Sequence, residues 1–385
     1  MKSPLGVGLI LLIVFAGFSS LWNIADTARS EYYAAIAKSM SLNLGNWFFG
    51  AFDPAGTVTL DKIPGSYWVP AIFVKLFGFS TWSITVPNAL AVIAAAVITV
   101  FAVRRVGGTS AGLIAGFLIA TTPILTAVSR ANQPQSYFVL AMALTLLAAT
   151  KAFETGKRRH LVFTGLFIAL AFNFYMLEAW AVWPAIILGW LLLSRKTFAD
   201  KTLGKKLTDL LIAGSISLFA SLLWPIVVAM VPSASRPFIG GTFTNNPFEM
   251  IFGYNGLGRF SATAADAGSS YQTFTPHFSG EPSLTRLFNE QLAGQIAWML
   301  PTALVAIVIL WVCKTNRALL VALITWFATF AFMFSAVEGM HQFYTSSLAV
   351  PAAALVGLAV AEARRANLIW AQVALVVSSA VTAIY

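Results

Sequence analysis

Cysteine is all but missing from this chain, and charge is scarce. Cys313 is the single cysteine among 385 residues, which excludes an internal disulfide and any cysteine metal cluster. Histidine is nearly as rare, with three residues, His160, His277 and His341. Neither His160 nor His277 has a ligand-like partner in sequence. Charged side chains make up 10% of the chain, whereas a soluble domain carries about 25%. An ordinary soluble fold is therefore excluded. No GxxxxGK[ST] stretch occurs, so the Gly-rich cradle used in nucleotide hydrolysis is lacking. Short-period repeats and low-complexity tracts are lacking too, beyond ordinary Ala and Leu enrichment.

What the chain has in abundance is apolar length. Hydrophobic residues make up 58%, and stretches long enough to cross a bilayer recur throughout. They lie near 4–22, 84–103, 109–127, 136–153, 161–173, 177–194, 208–231, 294–313, 318–336, 344–361 and 367–385. The pattern predicts an all-α polytopic membrane protein, a bundle of about eleven transmembrane helices. It reads as one domain over 1–385, with two large loops on one face, 23–83 and 232–293. A cleaved signal peptide is the competing reading of the first span. No small-residue cleavage site follows it, and Trp22 suits an interfacial anchor. The chain is still apolar at Tyr385, as expected of a longer protein truncated at its C-terminus.

Charge orients the bundle. With the N-terminus cytoplasmic, the cytoplasmic loops collect 16 of the 24 Lys and Arg, including Arg104, Arg105, Lys151, Arg159, Arg364 and Arg365. This is the asymmetry of the positive-inside rule. The formal net charge of +10 is thus mainly a topology signal. The basic loops are short and poor in aromatics, which speaks against a nucleic-acid partner. Acids divide the other way: ten of 14 fall on the opposite side or in the outer half of a span. Chemistry is therefore expected on the extracytoplasmic face.

The first large loop is the most informative stretch. Acids are costly near hydrocarbon, so Glu31, Asp53 and Asp61 at a membrane boundary suggest a working site. Residues 30–42 set Tyr33, Ile36, Ala37 and Met40 at helical spacing, which suits a short interfacial helix. A turn-rich NWFFGAFDPAG follows. Asp61 and Lys62 then stand before a second interfacial helix, whose first turn Pro64 suits. Asp53 and Asp26 are weaker candidates, because Asp-Pro is common turn chemistry.

The segments EYYAAIAKSM, NWFFGAFDPAG and DKIPGSYW resemble the first loop of bacterial GT-C glycosyltransferases. The group in question is family-39-like mannosyltransferases, relatives of the lipid A aminoarabinose transferase and protein O-mannosyltransferases. The likeness continues in order through LIATTPILTAVSRANQP, ALAFNFYMLEAW, MIFGYNGLGRF, LFNEQLAGQIAW and GMHQFYTSSLAVPAAALVG. It implies a hexosyl or pentosyl transferase that moves sugar from a polyprenyl-phosphate donor to a cell-envelope glycan, glycolipid or protein. Such chemistry needs a base for the acceptor hydroxyl, a cation or metal for the leaving phosphate, and an apolar groove for the lipid tail.

By motif position Glu31 is the candidate base; its competing reading is a charge favouring its own helix N-terminus. Asp61 and Lys62 match an acid-Lys-Pro-Pro element, with Ile63 where the first proline usually stands. Asp61 resembles the acid that holds a divalent metal or orients the donor phosphate, and Lys62 would face that phosphate. A local ion pair is the alternative for both. Arg130 and Asn132 follow the third span and are candidate donor contacts. Nearby, Gln135 replaces a family aspartate. Tyr175 stands where relatives tend to carry lysine, and Glu178 could contact substrate, pair with Arg130 or make a structural hydrogen bond. In FGYNGLGRF, Tyr254 and Asn255 could meet the sugar and Arg259 clamp the phosphate; a lid without substrate contacts is the other reading. His341 could join Asp61 at a metal or donate to phosphate. Two further functions stay open: a catalytically silent lipid-binding or scaffold relative, allowed by Gln135 and Tyr175, and a polyprenyl-lipid transporter. No half-to-half repeat supports the transporter.

Overall fold

The computed structural model describes residues 4–194, 201–259 and 278–384. His277 lies outside the described residues. The described chain is helical, and its extended structure is limited to two isolated bridges, Ala51–Thr59 and Val58–Phe238. The helices are α1 (Pro4–Leu21), α2 (Glu31–Met40), α3 (Leu44–Phe49), α4 (Gly65–Phe77), α5 (Thr81–Thr121), α6 (Pro123–Arg130), α7 (Gln135–Thr155) and α8 (Arg158–Tyr175). They continue as α9 (Trp183–Leu191), α10 (Leu203–Met230), α11 (Ala293–Ile296), α12 (Leu300–Val312), α13 (Arg317–Ala336), α14 (Ala349–Arg365) and α15 (Ile369–Ile384).

Eight helical stretches among the described residues are long and apolar enough to cross a membrane, against about eleven expected from hydropathy. The difference has three sources. Within α5 the backbone leaves helical geometry at Gly108 (φ 84°, ψ 179°). That conformation is open to glycine because it lacks a Cβ. The chain doubles back there, so that Gly112 lies against Val100 and Arg104. The two spans expected at 84–103 and 109–127 are thus limbs of one hairpin. α8 and α9 run on through a 3-10 stretch, Met176–Val182, as one apolar length. α15, at 16 residues, is a shorter apolar helix.

Packing is close where side chains are small, the usual basis of helix association in lipid. A Cβ on Gly112 would meet the Val100 carbonyl at 2.5 Å, so the limbs of α5 pack backbone to backbone. α5 packs on α1, α7 and α14, α7 on α8, α8 on α10, and α9 on α13. α14 runs through the middle of the bundle, buried along nearly its whole length. By contrast α1 turns Ile10, Leu11, Val14 and Phe18 outward, a face that suits lipid rather than water.

The two large loops form the cap that carries the site. α2 and α4 occur at the places expected of interfacial helices, with Tyr33 and Tyr67 stacked between them at 4.9 Å. α3, which sequence spacing did not reveal, is held to α4 by reciprocal indole bonds. Trp47 Nε1 donates to the Trp68 carbonyl (3.1 Å) and Trp68 Nε1 to that of Trp47 (3.0 Å). The loops are joined through backbone: Thr59 N donates to the Phe238 carbonyl and Phe238 N to that of Thr57, each at 2.8 Å.

Candidate functional site

Asp61 and Lys62 sit just before α4, where Pro64 starts the helix. Lys62 Nζ donates to Asp61 Oδ1 at 2.9 Å, and both side chains are largely shielded from solvent. The Tyr32 hydroxyl donates to the same oxygen at 3.2 Å, and the Tyr254 hydroxyl also reaches this carboxylate. Asn255 Nδ2 donates to the Asp61 backbone carbonyl at 2.7 Å and to that of Met250 at 3.0 Å. The FGYNGLGR segment of the second loop is thereby fastened to the first loop at its acid. Tyr254 closes the Glu249–Tyr254 turn, a π-helical stretch, and such turns recur at functional sites.

Arg259 completes the group. Its guanidinium carbon lies 5.2 Å from the Tyr254 ring centroid, in cation–π range. Its backbone carbonyl accepts from Glu338 N (3.0 Å) and Gly339 N (3.1 Å). The residue is buried, 8% exposed, yet its Nε has no hydrogen-bond partner among the described residues. A buried guanidinium N–H left unpaired is costly unless an anion completes it.

The electrostatics follow from crowding. Burial pushes the Asp61 carboxyl up, but the Lys62 charge and hydrogen bond, with help from Arg259, outweigh it and hold it below the usual carboxylate range. Burial would lower Lys62, and Asp61 beside it reverses that and holds it above the ordinary lysine range. The pair is therefore charged at neutral pH. Tyr32 and Tyr254 are raised, first by burial and then by Asp61, so both remain neutral donors.

Beside this cluster opens a cavity of about 490 Å³, lined by Tyr175, Glu178, Phe252, Asn255, Arg259, Met333, Phe334 and Tyr344 among others, and mostly apolar. α8 ends at Tyr175, and Met176 takes up a left-handed backbone (φ 54°) that turns the chain. Glu178 then lines the cavity and accepts a hydrogen bond from the Ser347 hydroxyl. Tyr175 and Tyr344 meet edge to face with centroids 5.6 Å apart.

Of the residues expected from sequence, Asp61, Lys62, Tyr254, Asn255 and Arg259 therefore converge, with Tyr175 and Glu178 on the cavity wall. His341 flanks them, stacked on Phe278 and Phe343. Its imidazole is pushed down to about 4, by burial first and then by Arg259 and Lys62. Glu31 opens α2 one residue from Tyr32. Its side chain is 76% exposed and paired with Arg29 at 3.0 Å. Asn132 clamps the start of α2: its Oδ1 accepts from Ser30 N (2.8 Å) and its Nδ2 donates to the Ser30 carbonyl (3.3 Å). Arg130 is engaged elsewhere, donating to the Trp22 carbonyl at 2.6 Å beyond the end of α1. Tyr32, Tyr344 and Ser347 were not singled out from sequence. The acidic-aromatic first loop and the GMHQFYTSS stretch were the signals that contained them.

A divalent metal at Asp61 and His341 does not fit this arrangement. Asp61 Oδ1 is already occupied by Lys62 and Tyr32, and two cations lie within reach of both residues. No third His, Cys, Asp or Glu completes a ligand group among the described residues. The cations of Lys62 and Arg259 already provide positive charge there.

Known proteins are similar to this chain in sequence and in fold. Residues 61–224 match the sequence family described as dolichyl-phosphate-mannose-protein mannosyltransferase. A Bacillus subtilis (strain 168) protein named "Putative mannosyltransferase YycA" is 32% identical over 91% of this chain and 62% of its own length. A second, YkcB, is 28% identical over 92% of this chain and 62% of its own. The chain thus spans about three-fifths of the curated relatives it matches. Among solved structures, ArnT from Cupriavidus metallidurans bound to undecaprenyl phosphate aligns over 92% of this chain and 59% of its own. Its TM-score is 0.65 at 16% identity, a likeness of fold.

Proposed function

We propose that this chain is a GT-C glycosyltransferase, as its similarity to the mannosyltransferase sequence family, to the Bacillus subtilis relatives and to the ArnT fold supports, and that it transfers a sugar from a polyprenyl-phosphate donor to a cell-envelope acceptor on the extracytoplasmic face. The observation that carries this reading is Arg259. Its buried Nε, without a partner among the described residues, adjoins the Asp61–Lys62 pair at an apolar cavity of about 490 Å³. A polyprenyl phosphate has the matching form, an anionic head on an apolar tail. The names of the curated relatives point to mannose as the sugar to try first.

In this reading Glu31 takes the proton of the acceptor hydroxyl. The acceptor oxygen attacks the anomeric carbon from the face opposite the phosphate. The carbon–oxygen bond to phosphate breaks, its electron pair leaves on the lipid phosphate, and the anomeric configuration inverts. Lys62 and Arg259 stabilise that developing charge. Asp61 keeps Lys62, Tyr32 and Tyr254 in place; a carboxylate held below its usual range is better suited to this than to taking a proton. Glu31 is solvent-accessible, paired among the described residues with Arg29, and adjoins the residue that touches Asp61.

The test is a transfer assay in lipid across polyprenyl-phosphate sugars and acceptors, comparing wild type with Glu31→Gln. Product from the wild type, lost in the variant with donor binding retained, supports both the activity and the base. Full turnover in Glu31→Gln removes Glu31 from that role. Donor binding without product in both proteins would favour the catalytically silent relative.

A further inference from the structure

The end of the bundle remote from Asp61 carries a second built cavity. α7 begins at Gln135 beside the first loop, so Lys151 lies about 24 Å farther along its axis. There a cavity of about 520 Å³ opens between α5, α7 and α8, lined by Arg105, Lys151, Arg159, His160, Phe163 and Phe167 among others. Lys157 adds another cation within electrostatic reach of the His160 ring. Among the described residues the acids Glu154 and Asp209 stand at this end, both already paired: Glu154 with Arg105 at 2.8 Å, and Asp209 with Arg158 at 2.6 Å and Lys201 at 2.5 Å, which leaves Lys151 and Arg159 for an anion. The N-terminus of α8 also lies here, with no acid in its first turn and no side-chain cap. It adds its own positive partial charge. So many like charges around one cavity repel one another unless an anion is present.

The surroundings say what kind of anion. Phe163, Leu166 and Leu170 are 53%, 36% and 37% exposed. They follow at helical spacing along α8, away from the cavity and toward the middle of an apolar span. A soluble anion would have no use for that stripe, whereas an acyl chain would lie along it. We propose that this cavity holds the headgroup of an anionic phospholipid, with its phosphate between Lys151 and Arg159 and an acyl chain against Phe163, Leu166 and Leu170. Basic pockets between transmembrane helices bind lipid phosphates by the same attraction. The site is separate from the proposed transfer reaction and does not depend on it.

Native mass spectrometry of the full chain, titrated with phosphatidylglycerol or phosphatidylcholine, tests this. Wild type should retain phosphatidylglycerol selectively. In the Lys151→Gln/Arg159→Gln variant its apparent Kd should rise about thirtyfold, at about a fivefold loss per cation. The charge-matched Arg317→Gln/Arg364→Gln variant should bind as wild type does. Equal weakening in both variants would reduce the effect to general surface attraction and overturn the site. Should the first variant not fold, wild-type melting decides. A rise with phosphatidylglycerol that inorganic phosphate does not reproduce supports a lipid, and an equal rise with phosphate alone refutes it.

Discussion

Arg259 combines burial, an N–H without a partner among the described residues and a ring beneath its guanidinium, so its geometry matters as much as its charge. Lysine would keep the charge but lose the planar fork and the stacking. Arg259→Lys is expected to cut transfer about a hundredfold and weaken donor binding, while thermal melting stays near wild type. Unchanged transfer would remove the residue from the phosphate site. His341 makes a different prediction. Its imidazole, pushed down to about 4 from an ordinary 6.5, takes up a proton more readily in the unfolded chain. The folded state is therefore favoured fully above pH 6.5 and loses that advantage as pH falls toward 4. His341→Phe should flatten the melting temperature across that window, and a wild-type slope kept in the variant would assign the loss elsewhere. At this scale the Asp61–Lys62 pair was legible because its partners are adjacent in sequence. Arg259 was legible as a cation. Its meeting with Asp61 was not, since the contact joins two loops separated by most of the bundle. Tyr344 and Ser347 escaped notice for a related reason: only the turn at Met176 brings Glu178 and Tyr175 to them.

Helices α2 and α4 were readable from spacing and from Pro64, because local sequence decides them. Their docking is a tertiary matter. Gly65, in the first turn of α4, has no room for a Cβ, which would lie 2.2 Å from the Asn173 carbonyl of α8. Since backbone cannot yield as a side chain can, Gly65→Ala should destabilise the protein by about 3 kcal/mol, at the upper end for overpacking. Gly17→Ala, on α1 with open space around it, should be neutral or slightly stabilising. Equal melting of the two variants would contradict the close α4–α8 contact. Asn132 acts on α2 in a similar positional way. Asn132→Ala removes both bonds to Ser30 and should lower kcat about tenfold with little change in donor Kd, because α2 carries Glu31 and not the phosphate contacts. A loss confined to donor Kd would instead make Asn132 a donor contact. The hairpin in α5 was half legible. Hydropathy located both limbs, whereas the reversal between them depends on a positive φ at Gly108 that apolar periodicity does not register.

For the molecule as a whole, composition and charge asymmetry were enough to predict a polytopic bundle. The number of crossings was harder, because one apolar length can be a hairpin, a broken helix or two helices. Orientation is open to direct measurement, and Cys313, the single native thiol, makes a cysteine-free background simple to build. In that background Leu284→Cys, at a position 86% exposed in the second large loop, should react with an impermeant maleimide in intact cells. Asn367→Cys, at the basic end, should react only after permeabilisation. The reverse pattern would put the candidate site on the cytoplasmic side.

The backbone bonds between Thr57, Thr59 and Phe238, and the bond from Asn255 to Asp61, also bear on how such a protein can be recombined. The two loops lie far apart in sequence but interlock like two halves of a clasp. Grafting either alone from a relative would leave its counterpart without a mate, so a functional chimaera must exchange both together. Changes in substrate preference among such proteins should accordingly arise through paired substitutions in the two loops.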